Sequence, residues 1–341
     1  MVLNADDPAV AAIADRPRVR RHAPVIRYFS LADGNPVIER HRRAGGLAYE
    51  LRDGELVEFD GGSKRPLLSV AELPGSFGGR APHVIANALA AVAACRGLGV
   101  SAKDIRRALG TFTPGQSNPG RGNVYLAGAS PVIVDYGHNA AALDTTGRMI
   151  GDVWGGDPVA AITLPGDRRD DLVAQSAEAI AARFGRVVIY EDADKRGRRP
   201  GEMTELISAA MRRARPGITL ASADGPQAAL RTALETAAGN PVLFLYEKLV
   251  TAHEALASLN AGPWPAGADA PAPAVPPADA VAPAAADAVP PAPAGIVPGR
   301  PAAGAVTTAP AGTGPAASAV DNLSAAAFAV TGTGSTSPIA A

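Results

Sequence analysis

Between residues 131 and 260 the hydrophobic positions fall into short continuous runs separated by longer amphipathic stretches. The runs at 131–135, 159–164, 186–190, 218–221 and 241–246 are too short for stable helices and mostly rich in β-branched residues. Such runs predict strands covered on both faces. The stretches at 140–153, 170–184, 201–215, 227–238 and 249–259 read as helices. Leu172, Val173, Ala177, Ile180, Ala181 and Phe184 make one apolar face, and Met203, Leu206, Ile207, Ala210 and Met211 another. Strands alternating with amphipathic helices predict a parallel α/β sheet covered on both sides. Right-handed crossovers then put every strand C-terminus on one edge, the edge at which such sheets bind ligands.

Residues 1–114 carry a different pattern. A strand is expected at 25–29. Residues 47–59 alternate at period two around Asp53-Gly54, a hairpin signal. An alanine-rich helix is expected over 82–98, stopped by Gly99, and Ser101 is placed to cap a second helix over 103–109. Residues 113–120 are almost all turn formers and predict an interdomain linker. From Gly262 onward the composition shifts to Ala, Pro, Gly, Thr and Val, with no Lys or Glu. Proline breaks helices and alanine buries little area, so 262–341 reads as a disordered, partly polyproline-like tail. The expected organisation is therefore 1–114, 115–261 and the tail.

Composition narrows the picture further. The 341 residues carry a net charge of −1, which gives no overall electrostatic case for nucleic acid or an anionic membrane. A single cysteine, Cys95, excludes an internal disulfide framework and a cysteine-rich zinc site, and it reads as a structural thiol. No basic, apolar leader opens the chain, and no apolar run approaches the ~18 residues of a membrane span, so the cytoplasm is the expected location.

Three charged segments follow the expected strands. Asp135-Tyr-Gly-His138-Asn139 joins a strand end to a helix start, where free backbone N–H groups collect. Asp135 is suited to ribose hydroxyls, and His138 and Asn139 offer donors or a flat face to a base. On spacing alone, Asp135 ends a strand and Asn139 caps a helix equally well. Gly166-Asp167-Arg168-Arg169-Asp170 follows the next strand; its arginines suit phosphate or carboxylate, and Asp170 is placed to cap a helix. Residues 190–202, with Arg196, Arg198 and Glu202, follow the third. A substrate-reading loop and a solvated loop look alike at both places. Asn4-Ala-Asp-Asp-Pro8 reads equally as a turn that caps the helix after it. No phosphate-loop, nucleophile-elbow or zinc-helix pattern occurs, and the histidines show no metal-ligand spacing.

The order of these pieces resembles the Mur ligase superfamily, and within it the cyanophycin synthetases. Asn4–Pro8 is similar to the NADDP segment late in the family's central ATPase domain. His83-Val-Ile-Ala-Asn87 resembles its H/E-x-x-N helix, Gly120-Arg121-Gly-Asn123 its GRFN segment, and Asp135–Asn139 its DYGHNP segment. Residues 166–170 and 191–202 look like the GDRRDED and YED…RGR…GE segments of the cyanophycin enzymes, whereas other Mur ligases carry different residues there. Gly122 stands where the family has phenylalanine, a change that loosens the hinge; Ala140 replaces proline.

This resemblance implies an incomplete central domain, then a Rossmann-like parallel-sheet C-terminal domain, then the tail. It implies that Asn87, Arg121, Asp135, His138 and Asn139 border the nucleotide. It further implies that Asp167, Arg168, Arg169, Asp170, Arg196, Arg198 and Glu202 face the incoming amino acid or acyl-phosphate. The implied reaction uses ATP and Mg2+ to join arginine to aspartate side chains of a polymer. The family's phosphate-binding loop, metal ligands and modified lysine all precede its NADDP segment, which starts here at residue 4. The expectation is that the chain acts only with a missing N-terminal part, in cis or as a separately encoded half, and turns over little alone, with no catalytic or metal residues of its own. A non-catalytic binding module derived from a Mur ligase is the alternative, and a folylpolyglutamate-synthase relative a third. A central domain missing its earlier strands is also expected to leave apolar faces partly uncovered.

Overall fold

A computed structural model describes residues 1–22 and 24–265. The chain starts with strand β1 (Val2–Asn4), helix α1 (Pro8–Ala11), helix α2 (Pro17–His22), strand β2 (Arg27–Ser30) and helix α3 (Pro36–Arg43). Strands β3 (Leu47–Arg52), β4 (Glu55–Asp60) and β5 (Ser63–Ser69) follow, then helices α4 (Pro82–Gly97), α5 (Ala102–Gly110) and α6 (Pro114–Ser117). The five strands form one sheet in sequence order, parallel from β1 to β3 and antiparallel from β3 to β5. The hairpin joining β3 and β4 turns at Asp53 and Gly54, both with positive φ (52° and 75°). That is the backbone twist two-residue hairpins favour.

Period-two alternation sends neighbouring side chains of β3 and β4 to opposite faces. Ala48, Val57 and Phe59 pack with Ile38 of α3, with Tyr28 and with Ala11. Tyr49 and Leu56 pack with Ile85, Leu89 and Val92 of α4. Both faces of this sheet are therefore covered, contrary to the expectation. The large apolar side chains left exposed in this half, Met1, Val25, Leu98 and Val100, lie at strand and helix ends rather than on a sheet face. The Asn4–Pro8 turn has a structural duty. Asp6 accepts hydrogen bonds from Ser30 Oγ (2.5 Å), Leu31 N (2.7 Å) and Asn35 Nδ2 (3.0 Å), tying the end of β1 to the end of β2. Asp7 caps α1 through the amides of Ala9 and Val10.

The second sheet has seven strands. Strand β6 (Arg121–Ala127) and strand β7 (Ser130–Asp135) form a hairpin. Helix α7 (Ala140–Trp154), β8 (Val159–Ile162), α8 (Asp170–Arg183), β9 (Arg186–Tyr190), α9 (Glu202–Ala214), β10 (Thr219–Ala223), α10 (Gly225–Ala237), β11 (Val242–Leu245) and α11 (Leu249–Ser258) then alternate. A short β12 (Gly262–Pro263) ends the described part. The order is β10-β9-β8-β11-β7-β6-β12, with β10 through β7 parallel. Side chains of α7, α8 and α9 share one core with the sheet, and those of α10 and α11 the other. The expected α/β alternation is present.

Three details differ from expectation. The sheet is not wholly parallel, because β6 and β12 run antiparallel at one edge. The linker at 113–120 contains a helical turn, in which Thr113 C=O accepts from the amides of Gln116 and Ser117. The tail reading begins too early. Gly262 and Pro263 pair with β6, Trp264 N–H donates to Val124 C=O (3.1 Å), and the Trp264 ring lies edge-on to Trp154 at 5.9 Å. The rest of the expected tail, from residue 266, lies outside the described residues. Among the described residues no helix is long and apolar enough to cross a membrane.

Candidate functional site

The first cluster forms where β7 ends. Asp135 follows four buried residues, Pro131 to Val134, and pairs in register with Leu245 of β11 and Arg121 of β6. Its Oδ1 accepts the amide of Gly137 at 2.5 Å. A Cβ at residue 137 would lie 2.9 Å from that same oxygen, so glycine allows the turn to fold back on the carboxylate. Burial pushes the Asp135 carboxyl above the usual range; the amides of Gly137 and Gly122 and the charges of Arg121 and His83 oppose this. The Arg121 guanidinium lies 4.7 Å from the centre of the Tyr136 ring, and that ring lies 4.0 Å from the His138 ring. A carboxylate beside stacked planar groups matches the needs of a ribose and a base.

His83, in the first turn of α4, reaches this corner from the other sheet. Its Nδ1 is buried without a hydrogen-bond partner, and burial lowers its pKa although Asp135 pulls it upward. Asn87 stands one turn further along α4, exposed and on the same helical side as His83. Asn139 is exposed, and its Oδ1 accepts the amide of Ala142 at 2.9 Å, capping α7. Of the two roles its position allowed, the cap is the one seen.

The second cluster lies where β11 enters between β7 and β8. The strand order reverses there, the position outside the carboxyl ends at which such sheets take ligands. Glu247 follows β11 with its side chain only 3% exposed. Its Oε2 lies 2.5 Å from Nη2 of Arg196, whose Nη1 lies 3.0 Å from Asp167. Its Oε1 lies 3.2 Å from Nε2 of His138, yet neither atom makes a hydrogen bond of acceptable geometry. His138 Nδ1 contacts the Tyr136 carbonyl. Because a carbonyl only accepts, the contact assigns a proton to Nδ1. Two successive side-chain turns, Asp194 N to Asp192 Oδ1 and Arg196 N to Asp194 Oδ1, wind the loop so that Arg196 adopts φ 48° and reaches Glu247.

Arg198 fastens two of the charged loops to each other. It donates to the carbonyls of Gly166 and Arg168 (both 2.8 Å), to Asp170 (2.7 Å) and to Glu202 (2.9 Å). Gly166 permits this closeness, since a Cβ there would collide with the Lys195 carbonyl. Glu191 caps α9, accepting from Gly201 N (3.0 Å) and Thr204 N (3.2 Å). Burial opposes ionisation of Glu191, but those amides and Lys195 prevail and hold its carboxyl below the usual range. Asp170 does not cap α8. The cap position is Arg169, without a side-chain bond, and Asp170 is the first helical residue, drawn off to Arg198. Arg169 pairs with exposed Asp171 (2.5 Å). Arg168 is half-buried, and its guanidinium has no hydrogen bond or ion pair among the described residues.

Asp167, Arg196 and His138 thus meet around one residue that sequence reasoning missed. Glu247 was legible by the rule that marked Asp135: it is the first charged residue after an apolar strand run, here 241–246. Among the described residues no three His, Cys, Asp or Glu side chains are placed to hold a metal ion. Among the described residues no magnesium site is built.

No protein-family model matches the chain. Over 217 residues it is 37% identical to the cyanophycin synthetase of Synechocystis sp., a match covering 63% of this chain and 24% of that protein. Over 251 residues it is 32% identical to the cyanophycin synthetase of Nostoc sp., covering 73% of this chain and 27% of the relative. The chain is a relative of the cyanophycin synthetases. It spans about a quarter of the length of these curated relatives. Among solved structures, folylpolyglutamate synthase of Mycobacterium tuberculosis overlaps 75% of this chain and 60% of its own, at 17% identity and a TM-score of 0.49.

Proposed function

We propose that this chain frames the nucleotide-base and amino-acid side of a cyanophycin-synthetase-type ATP-dependent ligase. The observation that carries the reading is the pair of clusters on one carboxyl edge of a cyanophycin-synthetase relative. In this reading Asp135 receives the ribose hydroxyls. Arg121, Tyr136, His138 and the His83–Asn87 side of α4 border the base. The crevice around Glu247, Asp167 and Arg168 receives the incoming amino acid, arginine. ATP supplies the phosphoryl group that activates an aspartate side-chain carboxylate of a polymer. The arginine amine then attacks the acyl-phosphate and phosphate leaves, forming the isopeptide bond. The phosphate and metal groups of this reaction belong to a part these residues do not provide. In the cyanophycin-synthetase relatives the chain matches about a quarter of the length, so the rest of such a ligase would supply those groups.

The test is binding followed by complementation. ATP should bind the full chain weakly, and Asp135→Asn should weaken it further by roughly tenfold, as expected for loss of a charge-assisted hydrogen bond. Adding the N-terminal half of a cyanophycin synthetase should then give isopeptide formation that depends on ATP and arginine. No nucleotide binding, together with no product on complementation, would sink the reading.

A further inference from the structure

The corner around Asp135 draws on both sheets. Asp135 and Arg121 belong to β7 and β6, whereas His83 and Asn87 stand on α4, which packs on the first sheet. Asp135 and His83 influence each other's ionisation. Such a corner is only as well defined as the placement of α4 against the second sheet. Phe77, Ala81 and Val84 make that join, packing into the core that α7 shares with the second sheet.

Three rings from distant parts of the chain meet at this join. Phe77, in the loop before α4, lies edge-on to Trp154, the last residue of α7, with centroids 5.2 Å apart. Trp154 is in turn edge-on to Trp264 at 5.9 Å. The backbone holds Trp264 there, since its N–H donates to Val124 C=O and the two residues before it pair with β6. Trp154 Nε1 is buried with no hydrogen-bond partner, so packing rather than a polar tie holds the indole. Phe77 adopts φ 51°, a costly backbone for a bulky residue, which persists only where its surroundings fix it. The loop behind it is closed by two hydrogen bonds. Ser76 Oγ donates to Val70 C=O (2.5 Å), and the Ala81 amide donates to Ser76 C=O (2.9 Å). Ala81 is the cap residue of α4, so the seat of the Phe77 ring is tied to the helical turn that carries His83.

We infer that Trp154, clasped between Phe77 and Trp264, is a positioning residue that sets α4 against the carboxyl end of β7, so that residues 262–264 tune binding at the Asp135 corner. Edge-on aromatic pairs have a preferred geometry as well as buried area, which suits them to fix one element against another. Losing the Trp264 ring uncovers Trp154 and loosens the seat of Phe77. The closed loop passes that looseness to the first turn of α4, and His83 and Asn87 lose their fixed distance from Asp135. The effect on ATP rests on the proposed nucleotide reading; the effect on α4 does not.

The experiment takes two readings on the full chain: ATP affinity by calorimetry, and amide hydrogen exchange along α4 without nucleotide. Trp264→Ala should weaken ATP binding by about fivefold or more, the lower end of coupling between separate sites. It should also speed exchange at residues 84–88 while strand β11 stays protected. Trp264→Phe keeps an edge-on ring and should restore most of both. Leu98→Ala, exposed at the far end of α4, should change neither. If Trp264→Ala fails to fold, Trp264→Leu is read the same way. Unchanged exchange at 84–88 overturns the inference, whatever ATP does. So does exchange that rises equally in α4 and β11, which would make the clasp a general prop. ATP affinity that stays the same while α4 loosens overturns it too. If the unaltered chain binds no ATP, faster exchange confined to 84–88 keeps the clasp and sinks the nucleotide reading.

Discussion

The two sheets use charge in opposite ways. In the first, carboxylates sit inside the faces: Glu50 is 0% and Glu58 4% exposed. Glu58 lies on the α4 side and is met by Arg96 of that helix at 2.6 Å; Glu50 is met by Arg52 at 3.0 Å. In the second sheet the faces are apolar, and charge appears at the terminal residues of strands, as at Asp135, Arg121 and Arg186, or beyond them, where Glu247, Arg196, Asp167 and Arg198 join loops. A charge pair within a face fixes a covering helix to its sheet. A charge pair at the edge fixes one loop to another and so shapes a crevice. Removing one partner should therefore cost global stability in the first sheet and local order in the second.

The largest expected effect tests how far the edge loops depend on close approach. Gly120 has φ 76°, and a Cβ there would collide with the Tyr246 hydroxyl and Leu249. Tyr246 also donates to the Gly120 carbonyl (3.0 Å). Gly120→Ala combines overpacking with a disfavoured backbone, so it should destabilise by about 3 kcal/mol or more in urea unfolding. Gly128 also has positive φ but open space around it, and Gly128→Ala should cost only about 1 kcal/mol. Equal costs would mean that the collision is relieved by movement.

Next comes the contrast itself. Glu58→Gln keeps the shape but removes the charge that holds Arg96 through two hydrogen bonds (2.6 and 3.1 Å). A loss of about 2–3 kcal/mol in global unfolding is expected, because the guanidinium is left partly buried. Glu247→Gln should cost about 1 kcal/mol or less globally, since Arg196 keeps Asp167, yet it should speed amide exchange across 192–198. The reverse ranking would break the comparison.

Arg198→Lys is a smaller effect of the second kind. Lysine keeps the charge but cannot serve four acceptors in two loops at once. About 1–2 kcal/mol should be lost, and amide exchange at both 166–170 and 198–202 should rise together. Exchange rising in one loop only would show that the two are not joined through this side chain.

The same contrast explains what could be read from the sequence. Strands covered on both faces, such as β9 and β11, appear as unbroken apolar runs, and their boundaries were legible to within a residue or two. Strand β5 was not legible, because Ser63-Lys-Arg-Pro carries its exposed first half at the edge of a sheet. Strand β6 hid behind Gly120-Arg121-Gly, and β12 behind the onset of proline. In the site, charged residues after strand runs were legible as a class. Which of them face the crevice and which tie loops depends on partners far apart in sequence. Arg196 and Arg198 are two residues apart, yet Arg196 reaches Glu247 while Arg198 reaches Gly166 and Asp170.

The smallest effect is a pH dependence at the start of α9. Glu191 accepts the amides of Gly201 and Thr204 most strongly while ionised, and Lys195 lies 3.2 Å away. Burial resists that ionisation, but the hydrogen bonds outweigh it, so the folded carboxyl titrates below its ordinary value of 4.5. Between the folded and unfolded values the unfolded chain binds more protons, so stability rises with pH in that window. The contribution is fully present above about pH 4.5 and is lost as pH falls through the folded value. Amide exchange at Gly201 and Thr204, followed by NMR from neutral pH downward, should stay slow to below pH 4.5 and then rise ahead of global unfolding. Glu191→Gln should remove the pH step while keeping the helix. A step that survives that change would assign it to Glu202 or Glu205 of the same helix, whose carboxyls are also held low, Glu202 by Arg198 and Arg199 and Glu205 by Arg199.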